Sequence, residues 1–461
     1  MSLRQLIACH APRESIGVVM ELEARHVRVG RSWRMLAVAL CVVGTGCPPV
    51  NDPPGMTTTT EPLGQIRPDE CLPLKAQGAA SIRFYADSDP WNTPVACLKQ
   101  ASDSSRWADN WFENSNRAAF TGQQDWKGHL SIGLTSYSTP IYDVATATTT
   151  IRVRSANYPD NLDGQLTIPW NPNWLPSAGN DSEMILINRQ NGSELGLWLV
   201  PRPPTPVNPS GRIANCVLPF EAWDPPLEDY DLCVGQAVVG RTPAGEISDF
   251  RSDTGVADVA KRGMGAVNPL VMLTRIEEVE SGEIHHALNN EMYNTLFGPP
   301  CTGVQLNDPT QAGTSCGYAV EPASRLENQL GPEPACHPSV AMANTSADRM
   351  RTVPEGTRFY LDLSRTEIDD RLEKKGYSVG KLETAKVFAY ALRDYGWVVS
   401  DTGCWDSLTS VEGAVSPEAK ARWDALELTE AGASGLLDGL ITKDAVKTVA
   451  PPSARKITVG W

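Results

Sequence analysis

The chain has 461 residues, with 55 acidic against 40 basic side chains and a formal charge of −15. That surplus of negative charge argues against nucleic acid and anionic lipid headgroups as partners. Apolar residues make up 41% of the chain, enough for a large core, and no segment beyond Cys47 is long and apolar enough to cross a bilayer.

Near the beginning, Arg25, Arg28, Arg31 and Arg34 precede the short apolar run Met35–Val43, and small residues lead from there into Cys47. A basic flank, a short apolar stretch and a cysteine behind small residues form the layout of a bacterial lipoprotein signal. Residues 1–46 therefore read as the signal, with Met20 and Met35 as alternative starts, and Cys47 reads as the lipid attachment point. Cleavage there removes six Arg and three Glu, leaving a still more acidic chain. Pro48–Pro62 is rich in Pro and Thr and has no apolar period, so residues 47–80 read as a tether. The expectation is an exported protein, held to the cell envelope only by its lipid.

Of eleven cysteines, eight remain once the signal is lost and Cys47 is modified: Cys71, Cys97, Cys216, Cys233, Cys301, Cys316, Cys336 and Cys404. An even number in an exported chain predicts disulfides, and the short loops make Cys216–Cys233 and Cys301–Cys316 the least costly pairs. No Cys-x-x-Cys pair is present, so zinc ligation by these cysteines is not expected, and no metal site is assigned.

Residues 81–461 read as one mainly β domain: a large antiparallel β-sandwich or jelly-roll-like body with a few short peripheral helices. Ser81–Tyr85, Leu130–Leu134 and Thr148–Arg154 alternate in the manner of strands. Gly164–Trp170, Glu183–Asn188 and Glu194–Val200 follow, the last two joined by a turn at Asn191-Gly192. Pro201–Pro209 reads as a loop, and short strands fill residues 212–250. Leu270, Leu273, Ile276 and Val279 recur at helical spacing, stopped by Gly282. Ile284–Leu288 reads as a strand, residues 299–350 as an irregular stapled excursion, and Gly356–Leu363 as a strand. Glu383–Tyr395 is the clearest helix, with Val387, Phe388, Ala391 and Leu392 on one face and Gly396 at its end. Trp397–Ser400 begins a further strand.

Five strings occur together in order: Ser88–Val95, Ala178–Asn188, Gly282–Leu288, Gly356–Leu361 and Ala391–Gly403. In combination they resemble a family of uncharacterised secreted bacterial proteins, frequent in actinobacteria. The resemblance spans roughly residues 82–450 and implies export, but no activity. Members of that family often carry Gly-His where this chain has Ser182-Glu183.

Three groups of residues are candidates for chemistry. Asp181, Glu183 and Glu194 sit with Trp198 on one expected hairpin. A pair of carboxyls beside an indole suits glycoside hydrolysis: one protonates the leaving oxygen, the other attacks or activates water, and the ring stacks on a sugar. The ordinary alternative is solvated acids on strands and a core tryptophan. His286 is the better of the pair His285-His286 as a helper base, against the alternative of a structural histidine. Asp401, in the string Asp401–Asp406 behind a strand, either orients His286 or caps a turn. Thirteen tryptophans would allow sugar stacking, although a large core accounts for most of them. No nucleophile elbow, phosphate loop or dinucleotide fingerprint is present, so no cofactor is expected. The sequence thus predicts a lipoprotein engaging extracellular polysaccharide, with Asp181, Glu194 and His286 catalytic and Trp198 and Asp401 binding substrate. The alternatives are a non-catalytic envelope or adhesion protein and a metal-assisted hydrolase. The latter requires His286 to meet two further ligands.

Overall fold

A computed structural model describes residues 84–102, 104–120, 122–155, 166–179, 181–201, 231–242, 244–253, 268–308, 310–326, 345–403 and 406–451. All of them belong to one compact unit. The expected signal, Cys47, the tether, Cys71, Cys216, Cys336 and Cys404 lie outside the described residues.

The strands of the described residues are β1 (Ser131–Gly133), β2 (Ile141–Asp143), β3 (Thr149–Ser155), β4 (Leu166–Trp170), β5 (Met184–Asn188), β6 (Ser193–Trp198), β7 (Asp231–Val234), β8 (Gln236–Val239), β9 (Leu288–Met292), β10 (Arg358–Leu361), β11 (Trp397–Thr402), β12 (Leu408–Ser410) and β13 (Val446–Thr448). They form a six-stranded sheet in the order β1-β12-β9-β11-β10-β13, a four-stranded sheet β2-β5-β6-β8 and a three-stranded sheet β4-β3-β7. The fold is mainly β, but the sheets are mixed rather than antiparallel. β1 runs parallel to β12, β9 to β11, β2 to β5 and β3 to β7. Parallel neighbours need long crossovers, and between β9 and β11 the chain supplies one that carries helices.

The hairpin β5–β6 shows why the sequence folds this way. Met184 and Leu186 of β5 enter one apolar cluster with Leu195 and Leu197 of β6 and with Ile151, Val153, Ile168 and Leu232 of the three-stranded sheet. Ile185 and Ile187 point the other way, to a second cluster with Leu270, Leu273 and Val398. Both faces of β5 are covered, so its sequence is continuously apolar instead of alternating. Gly192 turns the hairpin with φ 74°.

The largest cluster lies against the six-stranded sheet. The helix Val379–Asp394 presses Val387, Phe388, Ala391 and Leu392 onto Phe359, Trp397 and Val399, so this helix is part of the core. It starts one turn before the predicted Glu383. Gly396 follows it at φ 74°, where a side chain would collide with the Phe359 carbonyl. Among the helices not apparent in the sequence, the three longest in the described residues are Ser104–Asn114, Arg365–Glu373 and Pro417–Ala425. The first buries Ala108 and Trp111 and the second Ile368 and Leu372, and such short apolar stripes are easily lost among charged neighbours.

The predicted strand Ser81–Tyr85 lies mostly outside the described residues, and Ile284–Leu288 does not form a strand of its own. Tyr85 takes φ 67°, which no strand residue adopts, and its hydroxyl bonds Glu194. His285 and His286 precede β9, which begins at Leu288. The helix predicted after Pro269 is split into a 3-10 turn, Pro269–Met272, and the helix Ile276–Ser281, because Thr274 between them bridges to Val411.

Cys301 and Cys316 form a disulfide, as the short loop predicts, and Cys97 and Cys233 are also disulfide-bonded. Such bonds fit an oxidising, extracellular environment. Among the described residues, no helix is long and apolar enough to cross a membrane.

Candidate functional site

Glu291 is the focus of a cluster of four carboxyl groups. It sits near the end of β9, within the polar run Asn289-Asn290-Glu291 of a central strand. The sheet absorbs the first two residues. Asn289 Oδ1 accepts hydrogen bonds from Thr409 Oγ1 (3.0 Å) and the Ser410 amide (2.9 Å). Asn290 accepts one from Trp111 Nε1 (2.7 Å) and donates to Ser407 Oγ (2.9 Å). Glu291 Oε1 accepts one from Ser410 Oγ (2.9 Å), which also lies within hydrogen-bonding distance of the Tyr137 carbonyl (3.1 Å).

Three further carboxylates act on Glu291. Burial first, then the charges of Asp401, Glu183 and Asp181, push its carboxyl well above the ordinary range. Each neighbour reaches the site by an identifiable device. The pairing of β9 with β11 shifts register between Val399 and Asp401, which places Asp401 rather than Ser400 opposite Glu291. This is a bulge, and it re-aims the acid. Asp401 Oδ1 accepts from the Thr402 amide (2.7 Å). Gly403 packs close by, since a Cβ there would lie 3.2 Å from the Asp406 carbonyl and 3.6 Å from the Glu291 Cβ. Glu183 and Asp181 lead into β5 from the other sheet. Glu183 Oε2 accepts from Thr139 Oγ1 (2.9 Å), and Asp181 Oδ1 accepts from Trp198 Nε1 (3.2 Å). All four acids and Trp198 are only partly buried, and Tyr137 beside them is exposed.

The backbone around these acids is strained. Five described non-glycine residues have positive φ, and three of them flank the cluster: Tyr137 (56°), Ser182 (44°) and Leu199 (54°). Each such residue costs roughly 1–3 kcal/mol and persists only where the surroundings enforce it. Here the enforcing contacts include the Leu199 amide donating to the Asp181 carbonyl (2.8 Å) and the Val200 amide donating to the Ser182 carbonyl (3.1 Å). These hold Asp181 beside Trp198.

The structure therefore brings together three of the five residues predicted for the site, Asp181, Trp198 and Asp401, along with Glu183. It places the other two elsewhere. Glu194 is buried, where it accepts hydrogen bonds from the Tyr85 hydroxyl and the Leu270 amide (2.8 Å). Strand alternation gives Glu194 and Trp198 the same face, but roughly 13 Å of strand separates them. His286 is also buried. Its Nδ1 donates to the Ala287 carbonyl (2.8 Å) and its Nε2 faces Glu278 (3.2 Å), which pairs with Arg275 at 2.7 Å. Both ring nitrogens face acceptors, so His286 is not placed to act as a helper base in the cluster. Nor does it meet two further metal ligands, and among the described residues no three His, Cys, Asp or Glu side chains are grouped to hold a metal ion.

Glu291 was missed because its strand was read as ending at Leu288. The signal was present, however: Asn-Asn-Glu between Leu288 and Met292 is a polar run where a central strand should be apolar. No protein-family model, curated protein or solved structure matches the chain, so the site rests on its own geometry.

Proposed function

We propose that this protein is an envelope-anchored lipoprotein that cleaves extracellular glycan at the Glu291 cluster. The observation that carries this reading is one carboxyl raised by burial among three others, beside a partly buried indole. A raised carboxyl keeps its proton to higher pH than an ordinary one, as the acid that protonates a glycosidic oxygen needs to. Glu291 is the general acid in this reading. Asp181, fixed beside Trp198, attacks the anomeric carbon or activates water, and Trp198 and Tyr137 offer rings to sugar faces. Cys47 carries the lipid. The disulfides and the resemblance to secreted bacterial proteins support export.

Release of reducing ends from a panel of polysaccharides tests the proposal. The wild-type protein is expected to release them from at least one polymer. Glu291→Gln should lose activity on the order of a hundredfold or more, whereas Glu194→Gln, once folded, should retain it. No release from any polymer removes the enzyme claim. Polysaccharide binding without release, weakened by Trp198→Ala, would instead favour the adhesion protein.

A further inference from the structure

A second site lies away from the carboxylates. A pocket of ≈ 280 Å³ is walled by Leu98, Trp107, Val320, Pro354 and Val449, and Arg358 of β10 lines it. None of Asp181, Glu183, Glu291 or Asp401 contributes to its wall. An engineered apolar cavity of about 150 Å³ admits benzene, so this pocket has room for an aromatic ring and a short polar arm.

Arg358 adds a cationic residue to the pocket lining. Its guanidinium is buried, and its hydrogen bonds all run to main-chain carbonyls. Nε donates to Tyr395 O (2.8 Å), Nη1 to Pro90 O (2.8 Å), and Nη2 to Thr93 O (2.6 Å) and Tyr395 O (2.5 Å). Carbonyls satisfy donors but cancel no net charge. Four of the five N–H groups are engaged, and one on Nη1 is left over. Asp89 acts on Arg358 only through its field, without a salt bridge, and burial pushes the guanidinium down to about 9. Pro90 and Thr93, whose carbonyls hold the guanidinium, line the pocket together with Arg358 itself. A buried cation held only by neutral acceptors is costly, and an anion brought beside it would offset that cost.

We infer that this pocket binds a small carboxylic acid with an aryl or short alkyl body, its carboxylate facing Arg358 and its body against the apolar wall. Glu321 also lines the pocket and would favour an amine instead, so the test must compare charges.

The full chain is titrated by calorimetry with 3-phenylpropanoate, 3-phenylpropanol and 3-phenylpropylamine, which share one body. The carboxylate is expected to bind one-to-one and at least roughly tenfold tighter than the other two. Arg358→Lys keeps the charge but loses the fork, and should weaken the carboxylate alone. Because Arg358 also ties three backbone segments, that variant can fail to fold. Ala450→Trp is therefore included, since it fills the pocket and leaves the Ala450 amide bonded to the Lys99 carbonyl. It should abolish binding. Equal or tighter binding of the alcohol or the amine would overturn the inference. So would binding that survives Ala450→Trp, or no binding up to about 10 mM.

Discussion

Burial, and then the charges of Asp401, Glu183 and Asp181, raise the Glu291 carboxyl above its ordinary range, because ionisation would set a fourth negative charge in a partly desolvated site. A carboxyl raised in the folded state contributes stability that is fully present below its unfolded value. That stability is lost as pH rises through the folded value. Glutamine mimics the neutral acid at every pH. Glu291→Gln should therefore melt higher than the wild type at pH 8, and the difference should vanish towards pH 4. A wild type that melts higher at pH 8 would show that the ionised carboxylate is instead satisfied in the fold. This readout is independent of catalysis, so it tests the electrostatics even if no substrate is found.

At the scale of elements, the helix Ile276–Ser281 is held by two acids with opposite pH behaviour. Glu412 accepts the Ile276 amide (3.1 Å) at its beginning, yet burial above all raises its carboxyl to about 7. Its contribution is complete below about 4.5 and is lost as pH rises through about 7, so Glu412→Gln should flatten the fall in melting temperature between pH 5 and pH 8. An unchanged slope would count against this. Glu278 behaves in the opposite sense. Burial would raise it, but Arg275 and His286 outweigh burial and hold it far below the usual range. Its contribution is present above the unfolded value and lost only in strong acid. Glu278→Ala removes the closest carboxylate from the buried Arg275 guanidinium and should cost roughly 3–5 kcal/mol in denaturant unfolding at pH 7. A loss below about 1 kcal/mol would mean that water replaces the carboxylate. The sequence showed the helix spacing and its Gly282 stop. It did not show this ion network, because Glu278 and His286 meet only after the chain has folded back on itself.

For the whole molecule, legibility followed the range of the interaction. The hairpin β5–β6, the helix ending at Gly396 and the disulfide across the 301–316 loop are all local, and the residue pattern alone predicted them. Parallel pairing, the bulge before Asp401 and the meeting of β5 with the end of β9 depend on partners far along the chain. Of the residues singled out in the sequence, Asp181, Trp198 and Asp401 meet in the fold while Glu194 and His286 lie elsewhere, and Glu291 joins the first three only through the six-stranded sheet. The disulfides join these scales, because each stabilises the whole chain by restricting its unfolded state. Closing the 15-residue separation between Cys301 and Cys316 is worth about 3 kcal/mol. The buried positions of both cysteines resist reductant until the region opens. Cys301→Ser with Cys316→Ser should therefore lose about that amount in denaturant unfolding. Mild reductant, with the fold intact, should leave the wild type unchanged until denaturant is added. A double variant as stable as the wild type would mean that the excursion around these cysteines holds its shape by packing Leu296, Tyr318 and Val320 alone.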